Sequence, residues 1–328
     1  TSEQFLAYLF GGTTPINGAF KIGSALDTVI LTDSVQKIDR QAFFSCYRLI
    51  MVILPESVKE IGSYAFADCT GLTQLSIPAS VTEIGSFAFR GCTGLSKVTI
   101  AGSVETIANS AFSGCTGLRD VTIQSGVKTI GDAAFYGCTA LKEITIPEGI
   151  YTVWSYTFKG CSSLAKVKLP KTLIKVDQGA FENCTSLTYV YFPTNVEIIG
   201  SWSFKGCTGL EEVDMTWTDA TKIREGAFKN CSALTTIHLP ANIQTLGDSC
   251  FYGIGATSFT VPETVTTIEA WCFARAKLTK ITFKGNAPTI GEGAFNKITL
   301  TAYYSSAKSN WTSSVKQNYG GTVTWKAQ

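Results

Sequence analysis

Eleven cysteines, a single histidine and one closely spaced acid pair are the residues of this 328-residue chain whose types could do chemistry. Cys46, Cys69, Cys92, Cys115, Cys138, Cys161, Cys184 and Cys207 recur at intervals of 23, and Cys231 follows after 24. A row of thiols could ligate a metal or form disulfides. Metal ligands must converge on one point, and with no C-x-x-C pair and no Cys/His cluster a metal site is not expected. Disulfides along the row are not expected either. Equivalent residues on adjacent parallel coils lie about 4.8 Å apart with parallel side chains, whereas a disulfide needs Cβ atoms near ~3.8 Å. The expected role of the thiols is that of small buried hydrophobes. The lone His238 excludes a His-pair metal motif, and neither a nucleophile elbow nor a phosphate-binding glycine loop is present. Glu212 and Asp214 could place two carboxylates on one strand face within glycosidase range, but solvated strand residues are the expected reading. No catalytic residue and no cofactor are expected.

Bulk composition narrows the class further. At 45% hydrophobic and 16% charged residues the chain is too apolar for disorder. No apolar run approaches the roughly 18 residues of a spanning helix. A net charge of +2 with no basic stripe makes nucleic acid an unexpected partner. A chain that opens on Thr1 fits either a removed leader or an arbitrary start.

The cysteines share their beat with other residues. Phe20, Phe43, Phe66, Phe89, Phe112, Phe135, Phe158, Phe181 and Phe204 keep the 23-residue interval, and Phe228, Phe251, Phe273 and Phe295 continue it with slips of one. A leucine stands three residues after each cysteine, from Leu49 to Leu234. The repeat makes this a solenoid, in which no coil can bury its own apolar face and stacking supplies the core.

Within one unit, Leu75 and Ile77 alternate as a strand requires, and Pro78 ends the strand by removing a donor. Val81 and Ile84 suit a second short extended segment. The residue three before each Phe is a helix-capping type at Ser63, Ser86, Asn109, Asp132, Ser155, Ser201 and Asp248, which predicts a short helical turn carrying Ala-Phe inward. The residue two after the Phe is Gly91, Gly114, Gly137, Gly160 or Gly206, with Asn183, Asn230 and Asp68 as variants. These types tolerate a left-handed backbone and are expected to close the turn. The fold predicted is a leucine-rich repeat solenoid of about twelve coils, with parallel strands on one side and short helical turns opposite. Residues 1–19 are expected to form an N-terminal cap, 20–295 the solenoid and 296–328 a C-terminal cap.

The string from Ile77 to Leu95, I-P-x-S-V-T-x-I-G-x-x-A-F-x-G-C-x-x-L, resembles the BspA-type leucine-rich repeats of bacterial surface proteins. The resemblance runs from about Phe20 to Phe295. It implies a secreted or cell-surface protein, often adhesive, and no catalytic residues. Its departures are Ala101 and Gln124 in place of the proline, one extra residue in Met215-Thr216-Trp217-Thr218-Asp219, and Ile254 in place of cysteine. Cys250 and Cys272 instead take the Ala place before Phe.

A ligand is expected on the outward positions of the main strand. Most carry Thr, Ser and mixed charges, which suit an exposed sheet. The middle differs: Lys166, Lys168, Tyr189, Tyr191, Glu212, Asp214 and His238 form an aromatic and charged set, flanked by Trp217. Tyrosine gives large contact area at low entropic cost. A second candidate is the aromatic column two before Phe, with Tyr64, Phe87, Tyr156, Trp202 and Trp271, beside Trp154. The expected function is non-catalytic binding or adhesion, with a protein or glycan as partner. A structural part of a surface layer or phage tail is the alternative, and a glycoside hydrolase the least favoured.

Overall fold

The structure, a computed structural model, describes residues 27–328. Phe20 and the expected N-terminal cap lie outside them. The chain divides into two compact units, one ending at Pro170 and one spanning Lys171–Gln328.

Each unit is a parallel-strand β-solenoid, and together they hold about 13 turns rather than about twelve. In the first unit the main strands include Thr28–Ile30, Met51–Ile53 and Gln74–Ser76 in one sheet, Lys97–Ile100 beside Asp120–Ile123, and Glu143–Thr145 beside Lys166–Lys168. In the second unit Tyr189–Tyr191, Glu212–Asp214 and Thr236–His238 form one sheet, and Ser258–Val261, Lys280–Phe283, Thr299–Tyr304 and Thr322–Ala327 another. Two-residue strands such as Glu83–Ile84 and Thr106–Ile107 make a second parallel ladder from the Val-x-x-Ile segments. Register pairs like with like: Val29 with Val52, Val98 with Val121, and Val213 with both Val190 and Ile237.

This register builds the core. In the first unit the rings of Phe43, Phe66, Phe89, Phe112, Phe135 and Phe158 stack face to face, with centroids 5.0 to 5.6 Å apart. In the second, Phe181, Phe204, Phe228, Phe251, Phe273 and Phe295 do the same at 5.2 to 6.1 Å. The cysteines are buried as expected, and several ladder thiols also have a directional role. Cys92, Cys115, Cys138 and Cys161 donate to the carbonyl of the Phe one coil earlier, at 3.1, 3.1, 3.3 and 3.2 Å.

The expected helical turns are not formed, and the described residues contain no helix. The residue two before Phe takes a left-handed backbone, with φ of 59° at Tyr64, 60° at Phe87, 57° at Ser110 and 58° at Trp202. Such a residue costs about 1–2 kcal/mol outside glycine and interrupts any right-handed run at its first step. In return it turns alternate N–H groups along the stack. Phe87, Phe89 and Gly91 donate to the carbonyls of Asn109, Ala111 and Ser113 in the next coil, at 3.0, 2.8 and 2.8 Å. Ala88, Arg90 and Cys92 between them close turns onto Gly85, Phe87 and Phe89. The cap-type side chains bridge coils as well: Asn109 Oδ1 accepts from the Asp132 N–H at 3.0 Å, and Asp132 Oδ1 from the Ser155 N–H at 2.9 Å. The left-handed residues two after Phe stand where the sequence places them, at φ of 71° for Gly91, 73° for Gly114 and 61° for Asn183.

At the C-terminal end, Thr299–Tyr304 pairs in parallel with Thr322–Ala327. Between them Trp311 is buried against Phe283 at 4.9 Å and Trp325 at 5.6 Å. Its indole N–H donates to the Gly285 carbonyl.

Candidate functional site

Strand alternation sets out the candidate face of the second unit. In Tyr189–Tyr191 the central Val190 is 1% exposed, while Tyr189 and Tyr191 are 52% and 46% exposed. In Glu212–Asp214 the central Val213 is buried, Glu212 is exposed and Asp214 half-buried. Register puts Glu212 beside Tyr189 and Asp214 beside Tyr191 on one flank, with His238 beside Asp214 on the other. His238 Nε2 lies 3.6 Å from Glu212 Oε1.

The extra residue of this coil has a structural consequence. Asp214 Oδ1 accepts the Thr216 N–H at 2.9 Å and starts a tight loop. Met215 and Thr218 turn inward and are buried, with the Thr218 hydroxyl on the Met215 carbonyl at 3.0 Å. Trp217 between them is left 65% exposed. Thr216, Thr236, His238, Ser258, Thr260 and Pro262 then line an open depression of about 460 Å³.

Six of the expected residues (Tyr189, Tyr191, Glu212, Asp214, Trp217 and His238) therefore belong to the second unit. Lys166 and Lys168 are exposed on the last main strand of the first, paired with Glu143 and Thr145. Glu212 and Asp214 stand on the open strand face, with His238 and the Thr216 amide as polar neighbours.

The second aromatic column is bound into the stack. Tyr64 and Phe87 lie face to face at 4.7 Å, and both are half-buried. The ring of Trp202 lies over Gly226 and that of Trp271 over Gly293, where an added Cβ would run into it. The next coil carries glycine there because the ring needs the space. Tyr156 is half-buried with the Lys159 ammonium 5.1 Å from its ring centre, and Trp154 is 41% exposed.

An exposed isoleucine set in the first unit is not among the expected contact residues, although Ile53 is an outward strand position by alternation. Ile30, Ile50 and Ile53 are 60%, 48% and 44% exposed in the first unit, with Ile30 and Ile53 in register. The unbroken apolar run from Leu49 to Leu54 was its available signal, because a half-exposed strand should alternate.

Three ladder thiols deep in the stack are chemically quiet. Burial pushes Cys115, Cys161 and Cys207 up to about 12, so they stay neutral near pH ~7 and offer no thiolate to a metal or an electrophile.

Comparison with known sequences now decides the family. The BspA type leucine-rich repeat region matches in 6 copies, over residues 16–142, 128–256 and 216–312. The chain belongs to this family. BspA-type proteins are bacterial surface proteins, and leucine-rich repeats of this kind are typically non-enzymatic binding modules. No match was found among curated proteins. Among solved structures, a leucine-rich repeat protein from Bacteroides ovatus is similar at 24% identity with a TM-score of 0.68, over 91% of this chain and 83% of that one. A leucine-rich cell surface protein from Faecalibacterium prausnitzii is similar at 23% identity and a TM-score of 0.47, over 93% and 89%. A leucine-rich repeat protein from Eubacterium ventriosum is similar at 22% identity and a TM-score of 0.46, over 77% and 83%. The first of these likenesses supports the parallel-strand solenoid. No helix among the described residues is long and apolar enough to cross a membrane.

Proposed function

We propose that this BspA-type repeat protein is a cell-surface or secreted adhesion module that binds a protein or glycan through the main-strand face of its second unit. The observation that carries the reading is the exposed pair Tyr189 and Tyr191, in register with Glu212 and Asp214. Tyrosine rings give rigid contact area, and the adjoining carboxylates and His238 give orienting hydrogen bonds. Trp217 extends the apolar contact at the rim. Lys166 and Lys168 stand exposed on the main strand Lys166–Lys168 of the first unit and are left out of this contact set.

The test is a glycan array together with a panel of host extracellular proteins, probed with wild type and with the double variant Tyr189→Ala/Tyr191→Ala. Loss of two central aromatic anchors should weaken the ligand found by about 30-fold or more, the effect of roughly 2 kcal/mol. Thermal unfolding should change little, because both rings stand in solvent. Equal binding by the two proteins would remove the patch from the account. Absence of any ligand on both panels would favour a structural surface component.

A further inference from the structure

We propose that Cys250 and Cys272 form a disulfide that staples two successive coils of the second unit. They differ from Cys207 and Cys231, ladder cysteines of the same unit, in column and in direction. The ladder thiols of the same unit point at backbone oxygen, with Cys207 on the Phe181 carbonyl and Cys231 on that of Phe204, both at 3.1 Å. Cys250 and Cys272 stand one residue before Phe251 and Phe273, where most coils carry alanine, and their two Sγ atoms face each other at 3.5 Å. That separation is shorter than the ~4.8 Å between coils, so the two side chains converge and the parallel arrangement that forbids a disulfide along the ladder does not hold here. The general spacing of about 4.8 Å between neighbouring parallel strands also lies within the ~4.4–6.8 Å of Cα separation that a disulfide spans. The pair arises where the ladder cysteine has given way to Ile254 and Ala276.

The oxidant is a low-molecular-weight disulfide such as oxidised glutathione. One cysteine thiolate attacks a sulfur of that disulfide, breaking its S–S bond and releasing one glutathione thiolate. The second cysteine thiolate then attacks the mixed disulfide at the protein sulfur and releases the second glutathione. Two protein thiols are oxidised, one glutathione disulfide is reduced, and the two protons pass to the departing thiolates. Both side chains are fully buried, and burial holds the Cys272 thiol well above its ordinary range. Exchange therefore takes place while the chain folds or when the last coils open locally, and is slow in the closed protein.

The experiment refolds the full chain in a glutathione redox buffer, traps free thiols with iodoacetamide under denaturing conditions, and maps cross-links by mass spectrometry. Wild type should lose two of its eleven thiols, yield a single Cys250–Cys272 linked peptide, and recover both thiols with dithiothreitol. Cys250→Ala and Cys272→Ala, which restore the residue that neighbouring coils carry, should fold and keep all their thiols. Retention of all eleven thiols in wild type would overturn the proposal. So would a two-thiol loss that persists in either variant, or a cross-link confined to ladder pairs such as Cys207 and Cys231.

Discussion

Phe135→Ala is expected to lower the unfolding free energy by about 3–5 kcal/mol, the range for truncating a fully buried phenylalanine. The ring sits between Phe112 at 5.4 Å and Phe158 at 5.6 Å, with both stacks nearly parallel. Alanine leaves a void that neither coil can close, because Phe135 N–H donates to the Thr157 carbonyl and Phe112 N–H to the Ala134 carbonyl, fixing the backbone spacing on both sides. Two ring contacts are lost together with the buried area, which places the effect toward the upper end. Denaturant unfolding at constant protein concentration reads the change. A shift of under about 1 kcal/mol would mean that the aromatic ladder is not the core.

Raising the pH above about 9 is expected to weaken the fold steeply, and the buried thiols are the reason. An unfolded cysteine titrates near 9.0, while burial holds Cys115, Cys161 and Cys207 neutral up to about 12. Below pH ~9 the thiols are protonated in both states and contribute no pH dependence. Between about 9 and about 12 the unfolded chain loses those protons and the folded chain keeps them, so unfolding becomes easier as pH rises. Each such thiol contributes about 1.4 kcal/mol per pH unit in that window, and these three together about 4 kcal/mol per unit. Unfolding midpoints under reducing conditions from about pH 8 to about pH 11 give the slope. Replacing the three cysteines by alanine should remove most of that amount from it. An unchanged slope would mean that the thiols reach solvent.

What the sequence makes legible follows from what a repeat encodes. Inward residues must recur because each coil packs on its equal, so Phe66, Cys69, Leu72 and Val81 announce the stack directly. Left-handed backbone two after Phe is equally readable, since Gly91 and Asn183 are types that tolerate it. The turn before Phe is not readable in the same way. Ser86 ahead of Ala88 and Phe89 carries the local chemistry of a helix start, and only the next coil, which offers the Asn109 and Ala111 carbonyls, makes the left-handed turn preferable. A bond to a residue 22 positions away leaves no trace in a local window.

The candidate face divides along the same line. Alternation alone turns Tyr189, Tyr191, Glu212 and His238 outward. The inward turn of Met215 and Thr218 that leaves Trp217 outside depends on a loop bond from Thr216 to Asp214, which spacing does not reveal. The facing sulfurs of Cys250 and Cys272 depend on side-chain rotation, which a repeat period averages away.

Site-resolved hydrogen exchange at Phe87, Phe89 and Gly91 tests the coil-on-coil account most directly. In a helical turn starting at Ser86, Phe87 and Phe89 would be among the first amides, which have no intrahelical acceptor, and would exchange with solvent at rates near those of open peptide. Bonded to Asn109, Ala111 and Ser113 of the neighbouring coil, all three should exchange as slowly as the Asp120 and Gln124 amides, which donate to Ser96 and Ile100 across the Lys97–Ile100 and Asp120–Ile123 pair. Fast exchange at Phe87 and Phe89 beside slow exchange in those strands would contradict the account.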